Sequence, residues 1–180
     1  YKEVQKLIRE KRKKVEEANE KYKDKEIKVL LGYEVNILAD KSFSWPEEFL
    51  EELDYVIGGV HSSFGQDKKT MTDRIVSALE NKYLTILAHP TGRLINERGS
   101  VEADWGVVLE AAAENGKILE INSYPQRLDL TADLVKLAKD KNIGLIINTD
   151  SHEPSQMNFM RHGVDVARRG VCEKQHILNT

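Results

Sequence analysis

Between residues 27 and 152 the chain repeats one event five times, and this repeat restricts the possible folds more than any other feature. A short apolar, β-prone run ends in a polar residue able to meet a metal ion or a phosphate. The runs are VLLGYE, ending at Glu34; YVIGGVH, at His61; LTILAH, at His89; KILEIN, at Glu120 and Asn122; and IGLIINTDSH, at Asp150 and His152. The steps from Glu34 to His61, His89, Asn122 and Asp150 are 27, 28, 33 and 28 residues, about one βα unit each. Carboxylates and imidazoles gathered at the carboxyl ends of parallel strands are how barrel enzymes arrange their chemistry.

The intervening segments fit that reading. Residues 2–24 carry one apolar stripe at helical spacing (Val4, Leu7, Ile8, Val15, Ala18, Tyr22), with the basic cluster Lys11–Lys14 read as a solvated face. A strand is expected over 27–38, and a short helix over 46–52 that Ser44 could cap. A second strand follows over 54–60. Helices are then expected over 70–82, 104–115, 131–141 and 155–169, alternating with strands over 84–88, 117–121 and 142–147. Gly116 and Gly170 would stop two of the helices, and Thr131 would cap one. The strands are nearly all apolar instead of alternating, as when both faces of a parallel sheet are covered. No linker or low-complexity stretch divides the chain, so residues 1–180 read as a single α/β domain.

Composition removes several function classes. A formal net charge of −3 gives no overall basic field for nucleic acid, so any polyanion contact must be local. One cysteine, Cys172, allows no intramolecular disulfide and fits a reducing cytoplasm. No apolar run approaches the ~20 residues that span a bilayer. There is no glycine-rich dinucleotide loop, no G-x-S-x-G elbow and no cysteine pair for structural zinc.

The strand-end residues support each other. His61 in GGVHSSF and His89 in LAHPTGR stand on consecutive strand ends, and neutral imidazole binds cations such as Zn²⁺ and Mn²⁺. Gly58 and Gly59 allow close backbone approach, and Ser62 and Ser63 offer donors to a phosphate. Asp150 and His152, two apart, can reach one cavity, although Asp150 or Ser151 could equally open the last helix, a role Ser155 could take instead. A carboxylate at Glu34 between histidines suits a metal-bridging role. Arg93 and Arg127 have forked donors that match phosphate oxygens. Tyr124 either packs under a ligand or covers the barrel rim.

Taken together, GYEVNIL, VIGGVHSSF, LAHPTGRLI, LEINSYPQRLDL and NTDSH resemble the PHP (polymerase and histidinol phosphatase) domain, in the form carried at the carboxyl end of family X DNA polymerases. The likeness runs from the first helix to the terminal ILNT. It implies a distorted seven-stranded (β/α) barrel with up to three Mn²⁺ or Zn²⁺ ions that hydrolyses phosphoesters with metal-activated water. In the polymerase-linked members it implies 3′–5′ exonuclease action on DNA 3′ ends in repair, beside a polymerase domain. By the same resemblance Glu34 would bridge the first and second metals, His61 and His89 would complete the second, Asp150 would serve the first and His152 the third. Arg93, Arg127 and Ser62 would face the substrate phosphate.

The chain departs from the family pattern in lacking the opening His-x-His and in having five strands where seven are expected. Asn36 stands where the family has Asp. These departures lead us to expect a fragment with one whole metal site, little activity alone, and exposed barrel edges that favour self-association. Three other readings share the motifs: a free-standing PHP phosphatase acting on a small phosphomonoester, a metal-dependent amidohydrolase, and a degenerate non-catalytic module.

Overall fold

Among the described residues, five parallel strands in chain order, β1 (Gly32–Asn36), β2 (Tyr55–Gly59), β3 (Leu84–Leu87), β4 (Ile118–Asn122) and β5 (Gly144–Asn148), form one sheet in which each strand pairs with the next in sequence. The helices are α1 (Lys2–Lys21), α2 (Glu47–Leu50), α3 (Lys68–Glu80), α4 (Trp105–Glu114), α5 (Ala132–Asp140) and α6 (Met160–Arg169). A 3₁₀ segment, Pro154–Phe159, precedes α6, and a second, Lys174–His176, follows it. The computed structural model describes residues 2–179; Tyr1, and Thr180 of the terminal ILNT, lie outside the described residues.

Register separates the two faces of the sheet. On the helix-covered side Gly58 pairs with Leu87, Leu87 with Leu119, Leu119 with Leu145 and Ile121 with Ile147. These leucines and isoleucines are buried in the main core with Met71, Ile75, Val108, Leu109 and Val135 from the helices. Each such side chain contributes roughly 1.5–3 kcal/mol by leaving water. On the other side Glu34 pairs with Ile57, Ile57 with Ile86, Glu120 with Ile146, and Asn122 with Asn148. This face borders a cavity of about 840 Å³ lined in part by Glu34, Ile57, Ile86, Glu120, Ile146 and Asp150. The strands are apolar as expected, but Ile57 and Ile146 are only half-buried, so the inner face is incompletely covered.

Several element ends differ from the sequence expectation, each for a local reason. Of residues 27–38 only five find a register with β2, and Ile27 and Leu30 are exposed. Ser44 does not cap α2. Its Oγ accepts from the Asn36 N–H (2.9 Å), and Pro46 occupies the cap position without a side-chain bond. The third helix begins two residues early because Asp67 caps it, accepting from the Thr70 N–H at 3.0 Å. Ser155 does not cap α6 either, because its hydroxyl donates to Glu153 and the first turns are 3₁₀. Asp104 and Thr131 cap α4 and α5, and Gly116 follows α4 with φ +60°. Gly170 ends α6 with an ordinary φ of −74°.

The first helix docks through Ile8 onto Leu31 and Phe49. From the basic cluster, Arg12 reaches both oxygens of Asp54 (2.8 Å each) and the Glu52 carbonyl (2.8 Å). A half-exposed ion pair of this kind contributes about 1 kcal/mol or less, so burial of Ile8 carries more of the docking. Lys13 faces Glu17 one turn on, at 3.8 Å, as a solvated face would.

Candidate metal centre

The parallel register of β1, β2 and β3 places three side chains toward neighbouring strand ends. Glu34 lies within β1, while His61 and His89 each follow their strands by two residues. His61 Nε2 and His89 Nε2 lie 3.1 and 3.0 Å from the same oxygen, Glu34 Oε1. The imidazoles meet edge to face, with centroids 4.9 Å apart. One ligand atom from each residue falls within 4.8 Å of the others, and among the described residues this is the group of three with such spacing. Below them is Gly59, where a Cβ would stand 2.7 Å from Cε1 of both imidazoles and 3.0 Å from Glu34 Oε1.

The donor set fits one divalent cation. Neighbouring ligands on an ion with bonds of about 2.0–2.2 Å sit roughly 3–3.5 Å apart, close to the spacings found. Two imidazoles and a carboxylate with an open position is a ligand set of catalytic zinc. His89 is 2% exposed, and its Nδ1 is buried without a partner. Partial burial raises the Glu34 carboxyl, but the hydrogen bonds and charge of His61 and His89 outweigh it and hold Glu34 well below the usual carboxylate range. Burial also disfavours a charged His89, and Arg127 opposes it. Glu34, with help from Glu120, nevertheless lifts the imidazole above its ordinary 6.5.

A second group lies beside the first. Glu120 is 4% exposed and Asn122 fully buried, and hydrogen bonds from neighbouring groups engage both side chains. Asn122 Nδ2 donates to Glu120 Oε2 and to Asp150 Oδ2, each at 3.2 Å. Arg127 Nε lies 3.4 Å from Asp150 Oδ2. His152 stands apart from the three-donor cluster, its side chain 80% exposed and its Nδ1 2.8 Å from the Asp150 carbonyl. Ser63, His89 and Asp150 have positive φ (55°, 28° and 52°), which costs a non-glycine residue about 1 kcal/mol or more. All three lie in loops that follow strands of the parallel sheet, and so at the same end of it.

The arginines divide. Arg127 faces Asp150, whereas Arg93 donates through Nε to the Arg127 carbonyl (2.7 Å) and through Nη2 to the Leu128 carbonyl. Arg93 thereby holds the loop that carries Arg127. Ser62 is exposed, and its carbonyl accepts from Arg74 (3.1 Å). Tyr124 packs edge-on against Phe159, 5.5 Å away, at the rim. Two further supports carry no distinct signal in the sequence. Buried Arg74 ties Ser62 to the Ile37 carbonyl and to Gln66. Buried Asp129 accepts from the Thr91 N–H (3.2 and 3.0 Å), fixing the HPTGR loop. RLDL contained Asp129, but only the folded loop shows its burial.

An open parallel α/β arc with a two-histidine, one-carboxylate cluster at its strand tips defines a barrel-type domain with a candidate divalent-metal site. No protein-family model matches the chain. It is 36% identical over 172 residues to the DNA polymerase/3′-5′ exonuclease PolX of Bacillus subtilis, an alignment that covers 96% of this chain and 30% of that protein. It is 27% identical over 164 residues to a probable phosphatase of Thermoanaerobacter sp., covering 86% of this chain and 64% of that one. The chain thus spans less than two thirds of these relatives. A histidinol phosphate phosphatase from Lactococcus lactis, solved with Zn, L-histidinol and phosphate, superposes with a TM-score of 0.59 at 17% identity, over 89% of this chain and 73% of that one. The chain belongs to the PHP domain family and aligns with the form found in family X DNA polymerases.

Proposed function

We propose that this chain is a metal-dependent phosphoesterase domain acting on DNA 3′ ends, as a 3′–5′ exonuclease linked to a polymerase domain in DNA repair. The observation that carries the reading is the convergence of His61 and His89 on a single oxygen of Glu34 above Gly59. Glu34, His61 and His89 would hold one Mn²⁺ or Zn²⁺, and Asp150 and His152 would contribute to further ions. The bound cation would supply Lewis-acid stabilisation of charge on phosphoryl oxygens and an activated water. Arg127, held by Asp150 and by the loop that Arg93 clamps, would orient a phosphate through its forked donors. Ser62 would offer its exposed hydroxyl to the same phosphate. The 36% identity to PolX favours DNA over a small phosphomonoester.

The test combines metal analysis with hydrolysis. The expected result is about one tightly held divalent ion per chain and slow, Mn²⁺-dependent release of nucleotides from a 3′-recessed duplex, still exceeding turnover of an aryl phosphate. A chain that retains no metal after purification in Zn²⁺ or Mn²⁺ overturns the reading.

We also propose that the chain self-associates through its open sheet. The incompletely covered inner face borders the large cavity, and Leu30 and Leu178 on its rim are about half exposed. Sedimentation should show a species heavier than 20.5 kDa; a monomer at all concentrations counts against it.

A further inference from the structure

Glu120 lies on the same sheet face as Glu34 but outside the three-donor cluster. Three N–H groups converge on its carboxylate: the His89 main chain at 2.7 Å and Asn122 Nδ2 at 3.2 Å on Oε2, and Asn148 Nδ2 at 2.9 Å on Oε1. All three partners donate, so the surroundings match a group that accepts at both oxygens. The shortest bond is made to the main chain of a residue with φ 28°, a conformation that needs support from outside the local backbone. Asn122, which shares Oε2, reaches Asp150 with the same amide nitrogen. One buried carboxylate therefore connects the His89 loop, β4, β5 and the Asp150 turn.

We propose that Glu120 is the positioning residue of this centre, fixing the His89 main chain and, through Asn122, the Asp150 carboxylate, without touching the cation. The inference rests on Glu34, His61 and His89 being metal ligands.

The variant Glu120→Gln keeps the shape but turns one acceptor into an NH₂ facing a donor. Zn²⁺ titrated calorimetrically should bind 10–100-fold more weakly to Glu120→Gln than to the unaltered chain, the usual cost of losing a partner behind a ligand. Circular dichroism should show the fold retained. In the metal-free, unaltered chain, the His89 amide proton should resonate downfield and exchange slowly, and both properties should be lost in Glu120→Gln. Equal Zn²⁺ affinity in the two proteins, or a rapidly exchanging His89 amide in the unaltered chain, overturns the proposal. If Glu120→Gln does not fold, the His89 amide of the unaltered chain decides alone. Absence of Zn²⁺ binding by the unaltered chain refutes the metal-ligand reading instead, and the amide result still decides whether Glu120 anchors His89.

Discussion

Glu34→Gln is expected to weaken divalent-cation binding by more than about 100-fold while leaving the fold intact. Losing a direct ligand should exceed the 10–100-fold cost of losing a group behind one. The fold should survive because the Glu34 side chain is 37% exposed and Gln keeps an oxygen toward both imidazoles. The same substitution should change the pH dependence of binding. A cation must displace the proton from His89, whose affinity for that proton is raised by Glu34 against the effect of burial. In the unaltered chain, affinity should therefore fall with decreasing pH from a point above 6.5; in Glu34→Gln that point moves down.

Stability of the metal-free chain follows the same linkage. The depressed Glu34 contributes stability that is present above its ordinary 4.5 and lost as pH falls through its folded value. The raised His89 contributes stability that is present below 6.5 and lost as pH rises through its folded value. Both contributions are complete only between about 4.5 and 6.5, so the metal-free chain should show its largest Glu34-dependent gain in Tm there. Added metal should stabilise the chain most at higher pH, where His89 is free of its extra proton, by about 2.7 kcal/mol at a hundredfold excess over Kd. Thermal melts of both proteins across pH 4–9, with and without Zn²⁺, test this. A Glu34→Gln chain that gains as much Tm from Zn²⁺ as the unaltered one refutes the assignment.

The strand-tip repeat made the sheet legible because parallel strands and their ligands share one period. Glu34, His61 and His89 could be read as a set since each follows an apolar run and lies on an adjacent strand. Glu120 and Asn122 follow the same rule, yet they are turned into a buried network, and nothing local distinguishes them from ligands. Arg93 has the donors of a phosphate-binding residue, but the carbonyls of Arg127 and Leu128, more than thirty residues away, engage them. Element ends were missed where a cap competed. Ser44 bonds Asn36 across a loop, and Asp67 outruns the apolar pattern that marked the third helix. The apolar strands suggested two covered faces, whereas hydropathy cannot tell a covered inner face from one bordering a cavity.

Two adjacent glycines should separate folding from metal binding. At Gly59 an added Cβ would stand 2.7 Å from the imidazole Cε1 atoms of His61 and His89 and 3.0 Å from Glu34 Oε1. Gly59 has no positive φ to oppose alanine, but His89 is 2% exposed, so the rings can make room only by leaving Glu34. Gly59→Ala should cost about 1–2 kcal/mol, because the imidazole bonds to Glu34 Oε1 are lost against a smaller gain from lower entropy of the unfolded chain. The three donors, however, can no longer share one ion, because metal distances tolerate only about 0.2 Å. Zn²⁺ affinity should fall by more than about 100-fold, as with loss of a ligand. At Gly58 the added atom would meet Leu84 Cδ1 at 2.6 Å and Ile37 Cγ1 at 3.4 Å, inside the main core. Gly58→Ala should therefore cost about 1–3 kcal/mol by overpacking and bind Zn²⁺ nearly as well as the unaltered chain. Denaturant unfolding and Zn²⁺ calorimetry on both variants give four numbers. If Gly59→Ala binds Zn²⁺ as the unaltered chain does, the ion is not held at Glu34, His61 and His89.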